Sequence, residues 1–300
     1  MLDVLVIGSG PAGLAAAVYA KRANLNVLVV EKYFGGTGQI AESSMVDNYL
    51  GFAGISGFDL GENFKQHAEG LGVEFKEGDA REFKRIGDIW QVTLKDGNTI
   101  ETRTVIYAAG AVHRHLGIAG EGEFEGRGVS YCATCDGAFF RDKTVAVIGG
   151  GDTALDDALY LSDICNKVYL VHRRNEFRGS AGTVERLRKK ENTEFVLAAK
   201  AAEIAGNGRV EQLILEDGRS LFVDGIFVAV GMEPMTDAIK GVVDLDETGY
   251  VVAGETGKTC AGGFFVAGDV RTKVLRQVVT AVSDGANAAV SAERYICFGD

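Results

Sequence analysis

Residues 2–13 read LDVLVIGSGPAG, an apolar run that ends in a glycine-rich turn. The apolar run, Leu2–Ile7, predicts a strand that is buried on both faces of a parallel sheet. Pro11 suits the first position of the helix that follows, because its missing N–H costs nothing there, and this helix is expected to extend to about Ala23. A second strand is predicted over Val27–Val30. These elements form a βαβ unit, which predicts an α/β fold.

The three glycines of this turn have separate roles in a dinucleotide site. Gly8 permits the tight turn, Gly10 lets a pyrophosphate approach the backbone, and Gly13 lets the helix pack on the strand. Glu31 ends the next strand, 18 residues after Gly13, near the distance at which a carboxylate meets ribose hydroxyls. The alternative is a tight turn beside a solvated carboxylate. The pattern favours a nucleotide site that comprises Gly8, Gly10, Pro11, Ala12, Gly13 and Glu31.

A second glycine-rich turn, GGGDTA at residues 149–154, repeats this design in the middle of the chain. It follows a predicted strand, Thr144–Ile148, and precedes a predicted helix, Ala154–Asp163, and a further strand, Lys167–Val171. A basic cluster follows that strand, and guanidinium groups pair with two oxygens of a 2′-phosphate at once. The second site is therefore predicted to prefer NADPH to NADH, a basic surface patch being the alternative. Its predicted residues are Gly149, Gly151, Asp152, Thr153, Ala154, His172, Arg173, Arg174 and Arg178, with His172 in a supporting role.

Turn signals divide the remaining segments into shorter strands. The final segment is rich in small residues and predicts a long helix. The chain has only two prolines, so the domain boundaries are inferred from the nested nucleotide units and not from linker composition. The predicted strands are Glu74–Phe83, Trp90–Leu94, Thr99–Tyr107, Arg209–Leu215, Ser220–Val223 and Phe264–Val266, and the final helix extends from about Lys273 to Tyr295.

Two cysteines lie between the glycine turns, in the string CATCD at residues 132–136. On the first turn of a helix, the spacing of Cys132 and Cys135 brings their β-carbons close enough for a disulfide. Asp136 is positioned to move a proton to or from a leaving thiolate. Half of a zinc site is the alternative, but no second Cys or His pair of the usual spacing accompanies this one, so no metal is expected. The chain is predicted to pass electrons from a nucleotide cofactor to a disulfide.

The bulk composition excludes several classes of protein. The formal net charge of −11 argues against a nucleic-acid partner and against attraction to an anionic membrane. No apolar run reaches the roughly 18 residues that span a bilayer. The first residues carry no signal-peptide pattern, and five scattered or paired cysteines do not make a disulfide framework. A cytoplasmic protein is expected, in which a close thiol pair is catalytic or binds metal.

Over almost its whole length the chain resembles the low-molecular-weight thioredoxin reductases. The most specific match is the CATCDG string at residues 132–137, just before a second nucleotide-binding unit. Further matching stretches are Gly8–Gly13, Asp47–Tyr49, Ala108–Ala111, Gly149–Ala154, His172–Arg178, Gly268-Asp269 and Arg276-Gln277.

The resemblance implies two nested Rossmann-like domains of the FAD/NAD(P)-binding, three-layer β-β-α type. An FAD domain would comprise residues 1–112 and 243–300, and an NADPH domain with the dithiol would comprise residues 113–242. The resemblance also implies a homodimer and a domain rotation. The flavin residues would be those of the first turn together with Lys32, Gln39, Ile40, Asn48, Ala109, Gly110, Gly268, Asp269, Arg276, Gln277 and Val278.

The resemblance also implies an electron route. NADPH would reduce FAD, the flavin would reduce the Cys132–Cys135 disulfide, and the dithiol would reduce thioredoxin or a similar small redox protein. The chain departs from the family pattern in the FGGTGQ loop at residues 34–39 and at Leu50, Ala119 and Asn175. The loop affects the flavin contacts expected of Gln39 and Ile40.

Three related readings remain open. A reductase of the same fold that takes electrons from ferredoxin ranks lower, because such relatives lose the second glycine turn and the arginine cluster. The flavoprotein partner of a peroxiredoxin normally carries an extra N-terminal thiol domain. A non-catalytic flavin-binding redox sensor would not need Cys132, Cys135 and Asp136.

Overall fold

The structure is a computed structural model that describes residues 1–33, 36–43 and 45–299, without the side chain of Glu42. The chain divides into two compact units, Met1–Val112 with Glu233–Asp300 and, inserted between these segments, His113–Met232. Each unit contains a strand, a glycine turn and a helix in succession, Leu2–Ile7 with Pro11–Arg22 in the first and Thr144–Gly149 with Asp152–Ser162 in the second. The predicted α/β class with two nested Rossmann-like units is confirmed.

Helices and strands alternate along much of the described chain. The helices are α1 Pro11–Arg22, α2 Gly57–Gly70, α3 Ala133–Asp136, α4 Asp152–Ser162, α5 Ala181–Arg188 and α6 Val278–Phe298, with short 3₁₀ turns at Gln39–Glu42, Gly137–Phe140 and Asp237–Ile239. The strands are β1 Leu2–Ile7, β2 Val27–Glu31, β3 Glu74–Glu77, β4 Ala80–Ile86, β5 Ile89–Leu94, β6 Thr99–Tyr107, β7 Ala111–His113, β8 Val129–Ser130, β9 Thr144–Gly149, β10 Lys167–Val171, β11 Thr193–Val196, β12 Ala201–Gly206, β13 Val210–Leu215, β14 Ser220–Phe222, β15 Gly225–Ala229, β16 Met232–Pro234 and β17 Phe264–Val266.

In the first unit the sheet follows the order β3-β2-β1-β6-β5-β4, and β17 also pairs with β6. The pairs around β1 are parallel, whereas β4, β5 and β6 form an antiparallel meander. Successive residues of β1 face opposite sides. Val4 and Val6 pack in the core that contains α1 and α6, while Leu5 packs in the core that contains Phe83 and Trp90 of the meander. Both faces of β1 are thus buried.

The second unit repeats this layering. Its main sheet is entirely parallel, in the order β11-β10-β9-β15-β8, and β12-β13-β14 form a separate antiparallel sheet. Val145 and Val147 of β9 pack with Leu155 of α4. Ala146, between them, packs with Leu213 of the antiparallel sheet. Helices cover one face of the parallel sheet and strands cover the other.

Two sequence predictions about element boundaries are wrong. Glu74–Phe83 is not one strand: Gly78 N–H donates to the Glu31 carbonyl at 2.8 Å, after which the chain leaves its parallel partner β2 and pairs with β5 as β4. The last helix begins at Val278 and not at Lys273. Gln277 has extended backbone dihedrals and forms a reciprocal capping box with Thr280, which fixes the helix start.

Residues 233–242 lie with the first unit, whereas the sequence prediction placed the boundary at residue 243. Two contacts account for this position. The Tyr107 hydroxyl donates to the Met235 carbonyl at 2.7 Å, and Ile239 is fully buried in the core that contains Leu5. The segment is thus anchored before residue 243.

Helix α6 packs closely on α1 through small residues. A Cβ built on Gly285 would lie 2.0 Å from the Ala12 carbonyl oxygen and 2.9 Å from the Ala16 nitrogen. Only glycine lets the two backbones approach to this extent. In the part of the chain that the structure describes, no helix, α6 included, is both long and apolar enough to cross a bilayer.

We expect Gly285→Ala to lower the free energy of unfolding by about 1–3 kcal/mol, because the added methyl forces the helices apart. Gly70→Ala is the matched control, since Gly70 also lies in a helix and its Cβ would meet no atom within 4 Å. The control should leave stability unchanged or raise it by up to about 1 kcal/mol. Urea unfolding followed by circular dichroism measures both, and equal stability of the two variants would contradict the close approach.

Candidate nucleotide sites and redox-active disulfide

In the first glycine turn, the packing of the protein itself requires glycine at two positions and not at a third. Gly8 has a φ of +103°, and its Cβ would lie 2.5 Å from the Ala108 carbonyl oxygen. A Cβ on Gly13 would lie 1.9 Å from the Gly8 carbonyl oxygen. A Cβ on Gly10 would meet no atom of the described residues closer than the Cα of Gly38, at 3.8 Å. The small size of Gly10 therefore serves no packing need, and it leaves backbone accessible to a ligand.

Glu31 is tied to the same turn. Its Oε2 accepts hydrogen bonds from both the Ser9 amide and the Ser9 hydroxyl at 2.7 Å. Its Oε1 accepts from the amides of Lys32 and Tyr33, at 2.7 and 3.3 Å. The carboxylate thus lies at the turn, as the sequence predicted, but Ser9, which the sequence pattern did not single out, already binds one of its oxygens. The contact of Glu31 with ribose stays a prediction.

The carboxyl ends of three parallel strands meet at this turn. Ala108 N–H donates to the Ile7 carbonyl at 2.8 Å, and Ala267 N–H donates to the Tyr107 carbonyl at 3.0 Å. A Cβ on Gly268, which has a φ of +81°, would lie 2.8 Å from the Ala12 Cβ. Ligands of α/β folds bind at this edge of the sheet. The predicted residues that lie here are Ala109, Gly110, Gly268 and Asp269, next to Pro11 and Ala12.

A buried charge network holds the Gly268-Asp269 turn. The Asp284 carboxylate accepts from the Gly268 amide at 3.0 Å, from Lys273 Nζ at 2.9 Å and from Arg271 Nη2 at 2.6 Å. Asp269 Oδ1 is buried without a hydrogen-bond donor among the described residues, although Lys273 Nζ is 3.5 Å away. Burial raises the pKa of Asp269. An unsatisfied acceptor at the strand ends fits a ligand that donates hydroxyl groups.

The other predicted flavin residues converge from distant segments of the first unit. Asn48 Nδ2 donates to Gln277 Oε1 at 3.0 Å. Ile40 is buried in a small apolar core against which Val278 packs. Gln39 is exposed at the start of a 3₁₀ turn.

Arg276 provides a second unsatisfied polar group. Its Nε is buried without a hydrogen-bond acceptor among the described residues, and its guanidinium lies 4.1 Å above the Tyr250 ring. In the unusual FGGTGQ loop, Phe34 and Gly35 lie outside the described residues, while Gly38 packs on Gly10 with a Cβ position 2.8 Å from the Gly10 Cα. The polar groups at Asp269 and Arg276 thus fit a polar cofactor.

The second glycine turn repeats the pattern of the first. A Cβ on Gly149 would lie 2.3 Å from the Ala229 carbonyl oxygen and 2.6 Å from the Ala154 Cβ. A Cβ on Gly150 would lie within 2.5 Å of three His172 ring atoms. A Cβ on Gly151 would meet nothing in the described part of the chain nearer than Arg178 Nη2, at 4.0 Å. Again one glycine is free of packing constraints, at the position where a phosphate would approach.

The His172 ring packs against Gly150 of this turn. The side chain is buried, stacks on Phe177 with 5.3 Å between ring centroids, and has Nε2 at 3.1 Å from the Glu176 carbonyl oxygen. Burial lowers the pKa of His172, which favours the neutral ring. These contacts agree with a supporting role and not with a direct contact to a phosphate.

The basic cluster lies beside the second turn. Arg173, Arg174 and Arg178 are exposed, and none has a carboxylate oxygen within 4.0 Å among the described residues. The backbone amide of Arg178 donates to the Gly150 carbonyl at 2.8 Å, and Asp152 Oδ1 accepts from the Ser180 amide at 2.7 Å. These two bonds hold the loop that contains Asn175 and Arg178 against the glycine turn. Thr153 is exposed on the first turn of α4.

Cys132 and Cys135 form a disulfide, with a Cα–Cα distance of 5.3 Å. Cys132 precedes the four-residue helix α3, and its carbonyl accepts from the amides of Cys135 and Asp136 at 3.3 and 3.1 Å. The predicted pairing of the two thiols on one helical turn is confirmed. Among the described residues, no group of three or more His, Cys, Asp or Glu could hold a metal ion.

Asp136 lies at the end of the same helix. The Ser130 hydroxyl donates to Asp136 Oδ2 at 2.7 Å. Burial raises the pKa of Asp136, and the bond from Ser130 opposes that rise. The carboxyl therefore retains its proton to a higher pH than an exposed aspartate, which suits a proton donor.

The chain is similar to known proteins over nearly all of its length. Residues 2–285 match the sequence profile of the pyridine nucleotide-disulphide oxidoreductase family. The thioredoxin reductase of Listeria innocua is 41% identical over 300 residues, which cover 98% of this chain and 93% of that protein. The bifunctional thioredoxin reductase/thioredoxin of Mycobacterium leprae is 42% identical, over 98% of this chain and 66% of that protein.

A solved structure gives the same result. The crystal structure of thioredoxin reductase from Streptococcus pyogenes superposes with a TM-score of 0.92 at 38% identity, covering 99% of this chain and 98% of that chain. Such identity and coverage, together with the disulfide between two nucleotide-binding patterns, place the chain in a defined family. The chain belongs to the pyridine nucleotide-disulphide oxidoreductases and, among them, to the bacterial-type thioredoxin reductases.

Proposed function

We propose that this protein is an NADPH-dependent thioredoxin-disulfide reductase that uses FAD and the Cys132–Cys135 pair. The observation that carries the proposal is the disulfide, because it lies in a unit whose own glycine turn is flanked by arginines without a carboxylate partner among the described residues. Flavin and pyridine nucleotide cofactors follow from the family. FAD and NADPH are the specific forms that the residues favour.

The first unit would hold the FAD. The backbone at Gly10 is accessible to a pyrophosphate. Asp269 Oδ1 and Arg276 Nε are buried without hydrogen-bond partners among the described residues, so each gains one when a polar ligand binds. The bound flavin supplies the chemistry of two-electron transfer between a nicotinamide and a disulfide.

The second unit would hold the NADPH. The open position at Gly151 accommodates a pyrophosphate, and Arg173, Arg174 and Arg178 supply cations at the position where the first unit has Glu31. Guanidinium groups attract a 2′-phosphate, whereas a carboxylate repels it. We therefore assign FAD to the unit with the acid and NADPH to the unit with the arginines.

Thioredoxin is the proposed electron acceptor. The names of the similar proteins from Listeria innocua and Mycobacterium leprae support this choice. A homodimer, a cytoplasmic location and a movement of the dithiol unit between its two reaction partners are part of the same proposal. A related small redox protein in place of thioredoxin would use the same sulfur pair.

One experiment tests the proposal as a whole. The purified protein is checked for a bound yellow cofactor, and NADPH, NADH and reduced ferredoxin are compared as donors in a coupled thioredoxin assay. We expect yellow protein and turnover with NADPH far above that with the other two donors. Colourless protein that cannot be reconstituted with FAD would refute the proposal.

Cys135→Ser should abolish thioredoxin reduction while NADPH still bleaches the bound flavin, because the variant cannot form the disulfide. Cys297→Ser is the matched control, since Cys297 is an exposed free cysteine, and its activity should equal that of the parent. Flavin absorbance and the coupled assay measure the two steps. Sustained thioredoxin turnover by Cys135→Ser would exclude the dithiol from the electron route.

The double substitution Arg173→Ala/Arg174→Ala should raise the KM for NADPH about tenfold or more, because charge-assisted hydrogen bonds to one phosphate are lost. The KM for NADH should change little, because NADH has no 2′-phosphate. Arg219→Ala, which removes an exposed arginine paired with Asp217 in the same unit, should change neither constant. An equal rise for both nucleotides would show that the pair does not select NADPH.

Asp136→Asn should slow exchange between the dithiol and the flavin about 100-fold, since general acid–base catalysis contributes this much. In the parent, the exchange rate should fall as rising pH removes the Asp136 proton, at a pH above that of an ordinary carboxyl because burial raises this pKa. The variant should lack this decrease. Stopped-flow absorbance of the flavin measures the rate, and bound FAD and the KM for NADPH serve as controls.

A further inference from the structure

Ser130 lies two residues before the disulfide, at the end of β8. This strand pairs with β15, where Ser130 is opposite Phe227 in the parallel register. Ser130 is buried, with 6% of its surface exposed. A side chain on a paired strand in the interior has a fixed position, in contrast to one on a loop.

The Ser130 hydroxyl connects the two ends of the dithiol segment. Its oxygen accepts the Cys132 amide hydrogen at 3.1 Å. Its hydrogen points to Asp136 Oδ2 at 2.7 Å. An alternative acceptor, the Cys132 carbonyl oxygen, is 3.4 Å away, which makes it the weaker partner.

The direction of these bonds determines the protonation of the carboxyl group. A backbone amide can only donate, so the Ser130 oxygen is an acceptor for Cys132. The hydroxyl oxygen keeps a second lone pair, so its single hydrogen goes to the nearer of its two acceptors, Asp136 Oδ2 at 2.7 Å and not the Cys132 carbonyl at 3.4 Å. Oδ2 is then an acceptor and does not carry the acidic proton in that bond. Among the described residues Asp136 Oδ1 has no hydrogen-bond partner, so the proton of the neutral carboxyl is on Oδ1.

We propose that Ser130 positions Asp136 for proton transfer, by donating its own hydrogen to Oδ2 while it accepts the Cys132 amide, so that Oδ1 carries the transferable proton. Ser130 is a positioning residue and acts through Asp136. The inference rests on the proposed function, because it requires that Asp136 serve the dithiol.

The proton balance of disulfide reduction shows why the dithiol needs a proton donor. Reduction of the Cys132–Cys135 bond replaces one S–S bond with two S–H bonds, which takes two electrons and two protons. The hydride of NADPH brings two electrons and the equivalent of one proton, so a second proton is needed. Asp136 supplies it from Oδ1 to a leaving thiolate and is then reprotonated from solvent.

A purely structural role is the alternative to this inference. In that case the hydroxyl only satisfies the Cys132 amide, and its loss would affect stability but not the pH dependence of catalysis. Ser162 offers a matched comparison in the same unit. It is also 6% exposed, and its hydroxyl donates to the Leu159 carbonyl at 2.7 Å.

The test compares Ser130→Ala, Ser162→Ala, Asp136→Asn and the double variant Ser130→Ala/Asp136→Asn as FAD-loaded enzymes. The rate of dithiol–flavin exchange is measured by stopped-flow absorbance from pH 5 to 10, and thermal unfolding is recorded for each protein. Should Ser130→Ala not fold, Ser130→Gly gives the same comparison, because it also removes the hydroxyl and adds no reactive group.

We expect Ser130→Ala to slow exchange about tenfold, the effect of losing one hydrogen bond to the neutral carboxyl. Its decrease in rate with pH should occur at a higher pH than in the parent, because the bond that lowers the Asp136 pKa is lost. Ser162→Ala should keep the parental profile. In the Asp136→Asn background, Ser130→Ala should have no further effect on the rate.

Two results would overturn the inference. One is a parental pH profile for Ser130→Ala, and the other is an equal slowing by Ser130→Ala with and without Asp136. Failure of the underlying function is distinguishable, because the parent itself would then not reduce thioredoxin or Asp136→Asn would exchange at the parental rate.

Discussion

The contact of backbone with backbone at the two glycine turns is the constraint on which the rest of the structure depends. At Gly13 a methyl group would come within 1.9 Å of a carbonyl oxygen, and at Gly149 within 2.3 Å. No rotamer change can relieve such an overlap, because both partners are main chain. The helix can therefore start directly beside the strand only with glycine at these positions. This arrangement brings the helix N-termini to the carboxyl ends of the parallel strands, where Gly10 and Gly151 remain accessible.

The sequence predicted the elements around these turns well, because apolar strands, glycine turns and helices are local patterns. Strand β1 has the predicted bounds, and both βαβ units are present. Boundaries that depend on tertiary partners were less predictable. The separation of β3 from β4 depends on which strand Gly78 meets, and the start of α6 depends on a side-chain cap at Gln277. Helices α2 and α5, which the sequence patterns did not identify, have mixed composition and few buried residues.

The residues of the candidate sites likewise fall into those that the sequence indicated and those that only the fold shows. Residues within the glycine turns and the CATCD string are recognisable because their spacing is the signal. Ser9, Ser130 and Asp284 are not, since serines and aspartates are common and each acts through a partner whose position only the fold defines. Ser130 meets Asp136 across a strand–helix junction, and Asp284 reaches Gly268 from another element. His172 was given only a supporting role by the pattern, and in the fold its ring packs against Gly150.

The disulfide joins residues only three positions apart, and this has an energetic consequence. A crosslink stabilises a protein mainly by restricting the unfolded chain, and the restriction grows with the length of the loop that it closes. A ring this small restricts the unfolded chain by only about 2 kcal/mol in this account, the low end of the effect. Opening and closing the bond in every catalytic cycle should therefore shift the melting temperature of the protein by only a few degrees.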